Sequence, residues 1–286
     1  MLQVKRLYSF LASTALLCLC GFFSCTMHVM EEKSHVEYGS LEVSGGDSSR
    51  ALSVASISYA KVSVTGSGIS SPIQSDFLAI KGGIGSVSLE RIPTGANRVV
   101  TVQGYTSASD DAAVTGALIR AVTDIKAGPN SCSVSKTTTA LANVFVKLQA
   151  LGADLGSVNK EKISSVLPSK SWSLIDTDKI AADYVSDSTL SGKSSSDYQL
   201  TTGSVNFTSS LTNSYTIQIT DPSSQVFNMS SSYVSKTVSD AAPGTWGLLV
   251  LDSKGKVVAS DNNLKVVSGE TTSVSVNESI GGKYYR

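Results

Sequence analysis

From about Leu52 onward the chain is divided into short runs in which apolar and polar residues alternate, and this period restricts the fold more than any motif does. Ile57, Tyr59, Lys61 and Ser63 fall on one phase, Ser58, Ala60, Val62 and Val64 on the other, and the run stops at Gly66-Ser67-Gly68. Successive side chains of a strand point to opposite faces, so such a run reads as a half-buried strand. Runs of the same kind follow at 77–81, 85–89, 98–104, 117–125 and 131–136. Between them stand Ser71-Pro72, Gly82-Gly83, Pro93-Thr94-Gly95-Ala96-Asn97 and Gly128-Pro129-Asn130, which are turn chemistry. Short strands broken by turns at intervals of about 8–12 residues predict a β-sandwich.

At Thr138 the period changes. Leu141, Val144, Phe145, Leu148 and Leu151 are spaced three and four apart, which places them on one face of a helix. Thr138 or Thr139 suits its start and Gly152 its end. Two shorter helices are predicted over 160–167, stopped by Pro168, and over 176–185, with Ile180, Ala181 and Tyr184 inward. Helices this short are marginal alone in water, so they must pack on each other or on the first sandwich. A Ser/Gly/Lys-rich stretch then reads as a linker or exposed loop. Beyond it strands are predicted around Val205 and Phe207 and over 215–220, 233–238, 245–251, 256–260, 264–267 and 271–276, with Asp252-Ser253-Lys254-Gly255 as a hairpin turn.

The predicted architecture is therefore mainly β: two β-sandwich (Ig-like) domains with a short helical insert between them. Its parts are a signal segment at 1–24, a flexible tether at 25–51, a sandwich at 52–136, helices at 137–186, a linker at 187–203, a second sandwich at 204–280 and a tail at 281–286. Two small domains fit a chain of 286 residues. An internal repeat supports the division. Ile92-Pro-Thr-Gly-Ala-Asn-Arg98 and Ala242-Pro-Gly-Thr-Trp246 are each a Pro/Gly corner, then a large or basic residue, then an apolar run. A turn precedes the last strand of each half, at Ala127-Gly128 and at Ser268-Gly269. The corner leading into Arg98-Val-Val-Thr-Val-Gln-Gly-Tyr105, and Ala242 through Val258, resemble the immunoglobulin-like and carboxypeptidase-regulatory-like sandwiches of bacterial surface lipoproteins. The helical stretch from Thr137 to Leu148 is similar to the segment that accompanies such domains. The resemblance implies adhesive or scaffold modules and carries over no functional residue.

The amino terminus gives an address. Lys5 and Arg6 precede an apolar core of Leu11, Ala12, Ala15, Leu16 and Leu17, and the stretch ends at Ser24-Cys25. This is the layout of an export signal, too short for a bilayer span of about 20 apolar residues. Gly21-Phe22-Phe23-Ser24-Cys25 resembles a relaxed bacterial lipobox, with Phe22 in place of the usual Leu. The resemblance implies cleavage between Ser24 and Cys25 and attachment of acyl chains such as palmitate to Cys25. A plain cleaved signal and an uncleaved anchor are the alternatives. The lipid on Cys25 would make a membrane the first partner, with outer membrane or cell surface as the expected location.

Composition and motifs point away from chemistry. The chain carries 23 Lys+Arg and 23 Asp+Glu, and loss of Lys5 and Arg6 with the signal leaves it near neutral. There is no basic excess to neutralise phosphates, so no nucleic acid is expected as a partner. The only histidines, His28 and His35, lie in the predicted tether, where nothing packs around them to build a triad or a zinc site. Ser133-Val-Ser-Lys136, Ser157-Val-Asn-Lys160 and Ser260-Asp261-Asn262 match motifs of serine acyltransferases, but Lys-Thr-Gly is missing and Ser133 falls in a strand. Asp110-Asp111 reads as a solvated pair. Asp176, Asp178 and Asp183 suit a helix start and lack the spacing of a calcium loop. Asn206, Asn228 and Asn277 head glycan-acceptor triplets that read as accidental in this composition. Trp172, Trp246, Tyr284 and Tyr285 could stack on a sugar; Trp246 reads more simply as core, Trp172 as a cap on the helical segment and the tyrosines as a frayed tail. Cys132, the last cysteine once Cys18, Cys20 and Cys25 are accounted for, reads as a small buried hydrophobe.

The expectation is a membrane-held, exported, non-catalytic module for binding, adhesion or spacing, with no cofactor, no metal and no catalytic residue. A protein or glycan is the ligand class left to it. Two alternatives remain: a solute- or glycan-binding lipoprotein that uses an interdomain cleft, and a pilus-type subunit that assembles by strand donation, which requires an incomplete sheet or a detachable terminal strand.

Overall fold

In the computed structural model the described residues are 36–45, 57–80, 86–168, 174–211, 214–222, 226–230, 235–278 and 284–285. Those from Glu37 onward belong to one contact unit, 37–286. Ser24, Cys25, His28, His35 and Trp172 lie outside the described residues, as does most of the predicted tether.

One part of that tether is corrected. Residues Tyr38–Gly45 form β1, and Leu41 and Val43 are fully buried. Alternation decides the matter: Gly39, Leu41 and Val43 face inward, while Glu42 and Ser44 face water. Two inward aliphatic side chains are worth about 1.5–3 kcal/mol each on full burial, enough to outweigh the polar surroundings that made the segment look unstructured.

The first sandwich continues through β2 (Tyr59–Thr65), β3 (Ile73–Gln74), β4 (Leu78–Ala79), β5 (Val87–Pro93), β6 (Gly95–Tyr105), β7 (Ala113–Ile125) and β8 (Gly128–Val134). One sheet has the order β5-β1-β8; the other runs β3-β2-β6-β7, with β4 also on β2. β1 is antiparallel to β5 and parallel to β8. Between the sheets lie Leu41, Val43, Leu89, Ile92 and Val134 from one side and Ala60, Val62, Val64, Val100, Val102 and Ile119 from the other. Cys132 joins this core at 7% exposure.

The helical insert packs on the outer face of the second sheet. α1 (Lys136–Ala150) starts in a capping box: the Ser135 hydroxyl accepts from Thr138 N and the Thr138 hydroxyl accepts from Ser135 N. Satisfying two orphan N–H groups in this way favours initiation there, three residues before the threonines expected to begin the helix. Val144, Phe145 and Leu148 are fully buried as the spacing predicts, but Leu151 is 56% exposed because the helix ends at Ala150 and the chain turns away through Gly152, with φ of 82°. α2 (Lys160–Val166) and α3 (Thr177–Ser186) are capped by Asn159 and Asp176. Val99 of β6 packs with the helical residues Phe145, Leu148, Ile163, Ile180 and Tyr184 in a second core.

Residues 187–203 are not the predicted linker. Leu190 and Tyr198 are buried in the helical core, and the Tyr198 hydroxyl donates to Asp183 Oδ2 at 3.2 Å. Two apolar anchors are enough to fasten the segment down in spite of its serines.

The second sandwich comprises β9 (Gly203–Ser209), β10 (Thr216–Thr220), β11 (Val226–Ser230), β12 (Ser235–Ala241), β13 (Gly244–Leu251), β14 (Val257–Val266) and β15 (Thr271–Glu278). A short strand β16 (Tyr284–Tyr285) pairs with β15, so these tyrosines of the predicted tail belong to a sheet. β14 is one strand where two were predicted, because Asp261-Asn262-Asn263 forms an irregularity in the ladder and not a turn. The sheets are β12-β9-β15-β16 and β11-β10-β13-β14, closed over Phe207, Ile217, Ile219, Trp246, Val250 and Leu264.

The two sandwiches share one topology. In each, the first strand lies between an antiparallel partner, β5 for β1 and β12 for β9, and a parallel one, β8 and β15, while the strands β2, β6 and β7, and β10, β13 and β14, belong to the other sheet. The corners match in backbone as well: Arg91 and Gly95 in one, Asp240 and Gly244 in the other, all have positive φ. The order differs from the constant-type immunoglobulin arrangement of A-B-E-D over C-F-G, since β1 pairs with β5 and β8, and β9 with β12 and β15, never with the strand that follows in sequence.

Candidate functional site

The corner residues singled out by the repeat are structural. Arg98 is 3% exposed; Nη1 donates to Ser67 O, and Nη2 to Thr94 O at 2.6 Å and Pro93 O at 3.2 Å. Burial lowers its pKa, opposed by the nearby Asp154 carboxylate. Its guanidinium cross-links the corner of one sandwich. In the other, Trp246 is fully buried, donates Nε1–H to Ala242 O at 2.8 Å and stacks on Phe227 at 5.7 Å. Trp246 therefore offers no face to a sugar.

The acyltransferase-like matches are dispersed. Ser133 is an exposed residue of β8, Lys160 opens α2 and Ser260-Asp261-Asn262 lies on β14. Asp110 pairs with Lys61 at 2.8 Å, which holds the Lys61 pKa above its ordinary value. Asp176 caps α3, Asp178 pairs with Lys147 at 2.8 Å and Asp183 accepts from Tyr198; each has its own role. Among the described residues no group of three or more His, Cys, Asp or Glu side chains is placed to hold a metal ion. Of the glycan-acceptor residues, Asn206 accepts from Ser235 and Thr237, Asn228 accepts from Gln218 at 2.9 Å and Asn277 lies in β15.

Sequence reasoning allowed for an interdomain cleft but named none of its residues; the structure has one of about 520 Å³. One wall is Arg120 of β7 with Asn143, Val146 and Lys147 of α1, a second is 175–178 at the start of α3 with Leu200, whose N–H donates to Leu174 O, and Pro222, Pro243 and Gly244 close it from the second sandwich. Asn143, Val146 and Lys147 reach it together because residues three and four apart share a helix face. Gly244 belongs to the Pro/Gly corner, and a Cβ there would stand 2.9 Å from Pro222 Cγ, so the corner can come this close only as glycine. Arg120 is desolvated, which lowers its pKa. Its Nη1 donates to Asn143 Oδ1 at 2.6 Å and its Nε to Thr101 Oγ1 at 3.2 Å. No local motif marks this residue, because its partners come from two other elements, β6 and α1.

No family model and no curated protein matches the chain. Solved structures share faint likenesses. The Bacillus anthracis TIE protein is 8% identical with a TM-score of 0.20 over 84% of this chain and 34% of that one, so the chain spans about a third of it. A fimbrilin of Porphyromonas gingivalis is 12% identical with a TM-score of 0.23, covering 78% and 74% of the two chains. A candidate adhesin of Bacteroides ovatus is 8% identical with a TM-score of 0.20, covering 87% and 90%. At these scores none of the three carries an argument.

Proposed function

We propose that this chain is an exported module held at a bacterial membrane by lipid on Cys25, whose two sandwiches form a non-catalytic body for adhesion, binding or spacing at the cell surface. The observation that carries the reading is the duplication. One design, with the same corner and the same parallel pairing of its first strand to a late one, β1 to β8 and β9 to β15, is built twice in tandem. Repetition of a module adds reach and surface without needing a reactive centre. Because β1 starts at Tyr38, the segment between lipid and body is 26–37, which spans at most about 3.3–3.6 Å per residue, or roughly 40 Å. Protease treatment of intact and permeabilised cells tests the display: surface location predicts cleavage in both, while protection until permeabilisation would place the body in the periplasm.

Assembly by strand donation is a second reading, supported by β1. It comes from the amino-terminal end of the body, lies in the middle of its sheet and bonds to β5 on one side and β8 on the other. Loss of such a strand would open two ladders at once, a template for an added strand. In the described sheets β1 fills its own place, so donation requires its release. A chain lacking 36–45 keeps the acceptor groove and loses the donor, which tests this: capture of a peptide of the β1 sequence, or of β1 from an intact chain, supports donation, and failure of the folded truncated chain to bind either opposes it.

A further inference from the structure

Arg120 is fixed from every side but one. Its backbone N–H donates to Thr139 Oγ1 at 2.8 Å and its carbonyl accepts from Thr138 Oγ1 at 2.5 Å. Thr101 and Asn143 hold Nε and Nη1. None of these partners is a carboxylate, and no ion pair reaches Arg120 among the described residues. An Arg side chain stays protonated in proteins, and withdrawing its charge from water without a counter-ion is unfavourable. The Nη2 group has no partner among the described residues. Because Asn143 Oδ1 is bound to the guanidinium, its Nδ2 remains as a second donor at the cleft.

The remaining charges of the cleft narrow the ligand. Lys147 is neutralised by Asp178. Asp176 accepts Lys179 N on Oδ1 at 2.8 Å and contributes a negative charge to the same wall. One uncompensated guanidinium beside one carboxylate favours a monoanion over a dianion, and Asp176 and Thr177 can bind hydroxyl groups. Val146, Ile175, Leu200, Pro222 and Pro243 supply apolar surface for C–H faces. A volume of about 520 Å³ lies within the range of small-ligand pockets, about 300–1,000 Å³.

We propose that the cleft binds a small hydroxylated monocarboxylate, a uronic-acid sugar, with its carboxylate on Arg120 Nη2 and Asn143 Nδ2 and its hydroxyls toward Asp176 and Thr177. The two ends of the site select by different means: charge at Arg120, hydroxyl acceptance at Asp176. This gives the surface module of the preceding section a ligand class. Binding is read on purified protein, so its failure is distinct from failure of the location.

Saturation-transfer NMR titration of the full chain in mild detergent tests the site, with D-glucuronate and D-galacturonate as probes, D-glucose and D-galactose as neutral matches and inorganic phosphate as a dianion. At least one uronate is expected to bind, with its neutral match and phosphate about tenfold weaker or more, the scale of one charge-assisted contact. Arg120→Gln is expected to weaken the uronate by about tenfold or more. Asn143→Asp preserves side-chain volume and supplies an internal carboxylate for Arg120, so it should lose the uronate to the same extent while keeping the wild-type Tm or exceeding it. The second variant decides if the first fails to fold. No binding of either uronate, equal binding of the neutral sugars, tighter binding of phosphate, or unchanged affinity in Asn143→Asp would each overturn the proposal.

Discussion

Gly39 and Gly203 occupy the same place in the two sandwiches: a Cβ on Gly39 would stand 2.3 Å from Lys126 O, and one on Gly203 would stand 2.3 Å from Val267 O. Each stands at the start of the first strand of its domain, beside the turn into that strand's parallel partner, β8 or β15. The crowding atoms are backbone carbonyls, which cannot rotate away as a side chain can. The parallel closure of both sandwiches thus depends on one missing methyl group in each.

Alanine at either glycine should be costly. Overpacking of this kind destabilises by about 1–3 kcal/mol or more, whereas Gly156→Ala, whose Cβ would lie 3.4 Å from a carboxylate oxygen of Asp154, should stay within about 0.5 kcal/mol. Urea denaturation of Gly39→Ala, Gly203→Ala and Gly156→Ala provides the comparison. Equal midpoints for all three would contradict the close strand approach.

Leu41 distinguishes a strand from a tether. As a fully buried residue of β1, its replacement by Ala should cost about 2–5 kcal/mol. In a solvated tether the same change would leave stability untouched. The denaturation midpoint of Leu41→Ala, set beside that of the exposed Ser44→Ala, separates the two.

Cys132 should resist alkylation and couple stability to alkaline pH. Burial pushes its thiol up to about 11, from an ordinary value of 9.0. Between those values the unfolded chain has lost the proton that the folded chain retains, so stability contributed by this thiol falls as pH rises from about 9 to about 11. With Cys25 replaced by Ser, iodoacetamide at pH 8 should label Cys132 only in denaturant. Relative to Cys132→Ala, the stability of the Cys132 protein should decline across that pH range. Rapid labelling of the folded chain would place the thiol at the surface.

What the sequence revealed followed from period and turn chemistry. The alternation around Val62 and Val100, the three-four spacing of Val144, Phe145 and Leu148, and the paired Pro/Gly corners each correspond to an observed element or repeat. The hidden parts had few apolar residues amid polar ones. β1 has Leu41 and Val43 beside Glu37 and Glu42, the supposed linker has Leu190 and Tyr198 among serines, and β11 was not anticipated at all. At Asp261-Asn262-Asn263 turn-forming residues occupy a strand irregularity, where a ladder tolerates them. The cleft had no local signature, since Thr101, Arg120 and Asn143 meet only after β6, β7 and α1 pack.

The claim that the chain is held at a membrane through Cys25 is tested most directly by labelling. Cells expressing the full chain, or the same chain with Cys25→Ser, are fed an alkyne analogue of palmitate and separated into membrane and soluble fractions. The account predicts a labelled chain in the membrane fraction and, for Cys25→Ser, an unlabelled chain released in soluble form. An unlabelled wild type, or a Cys25→Ser chain that stays with the membrane through an uncleaved signal, would contradict it.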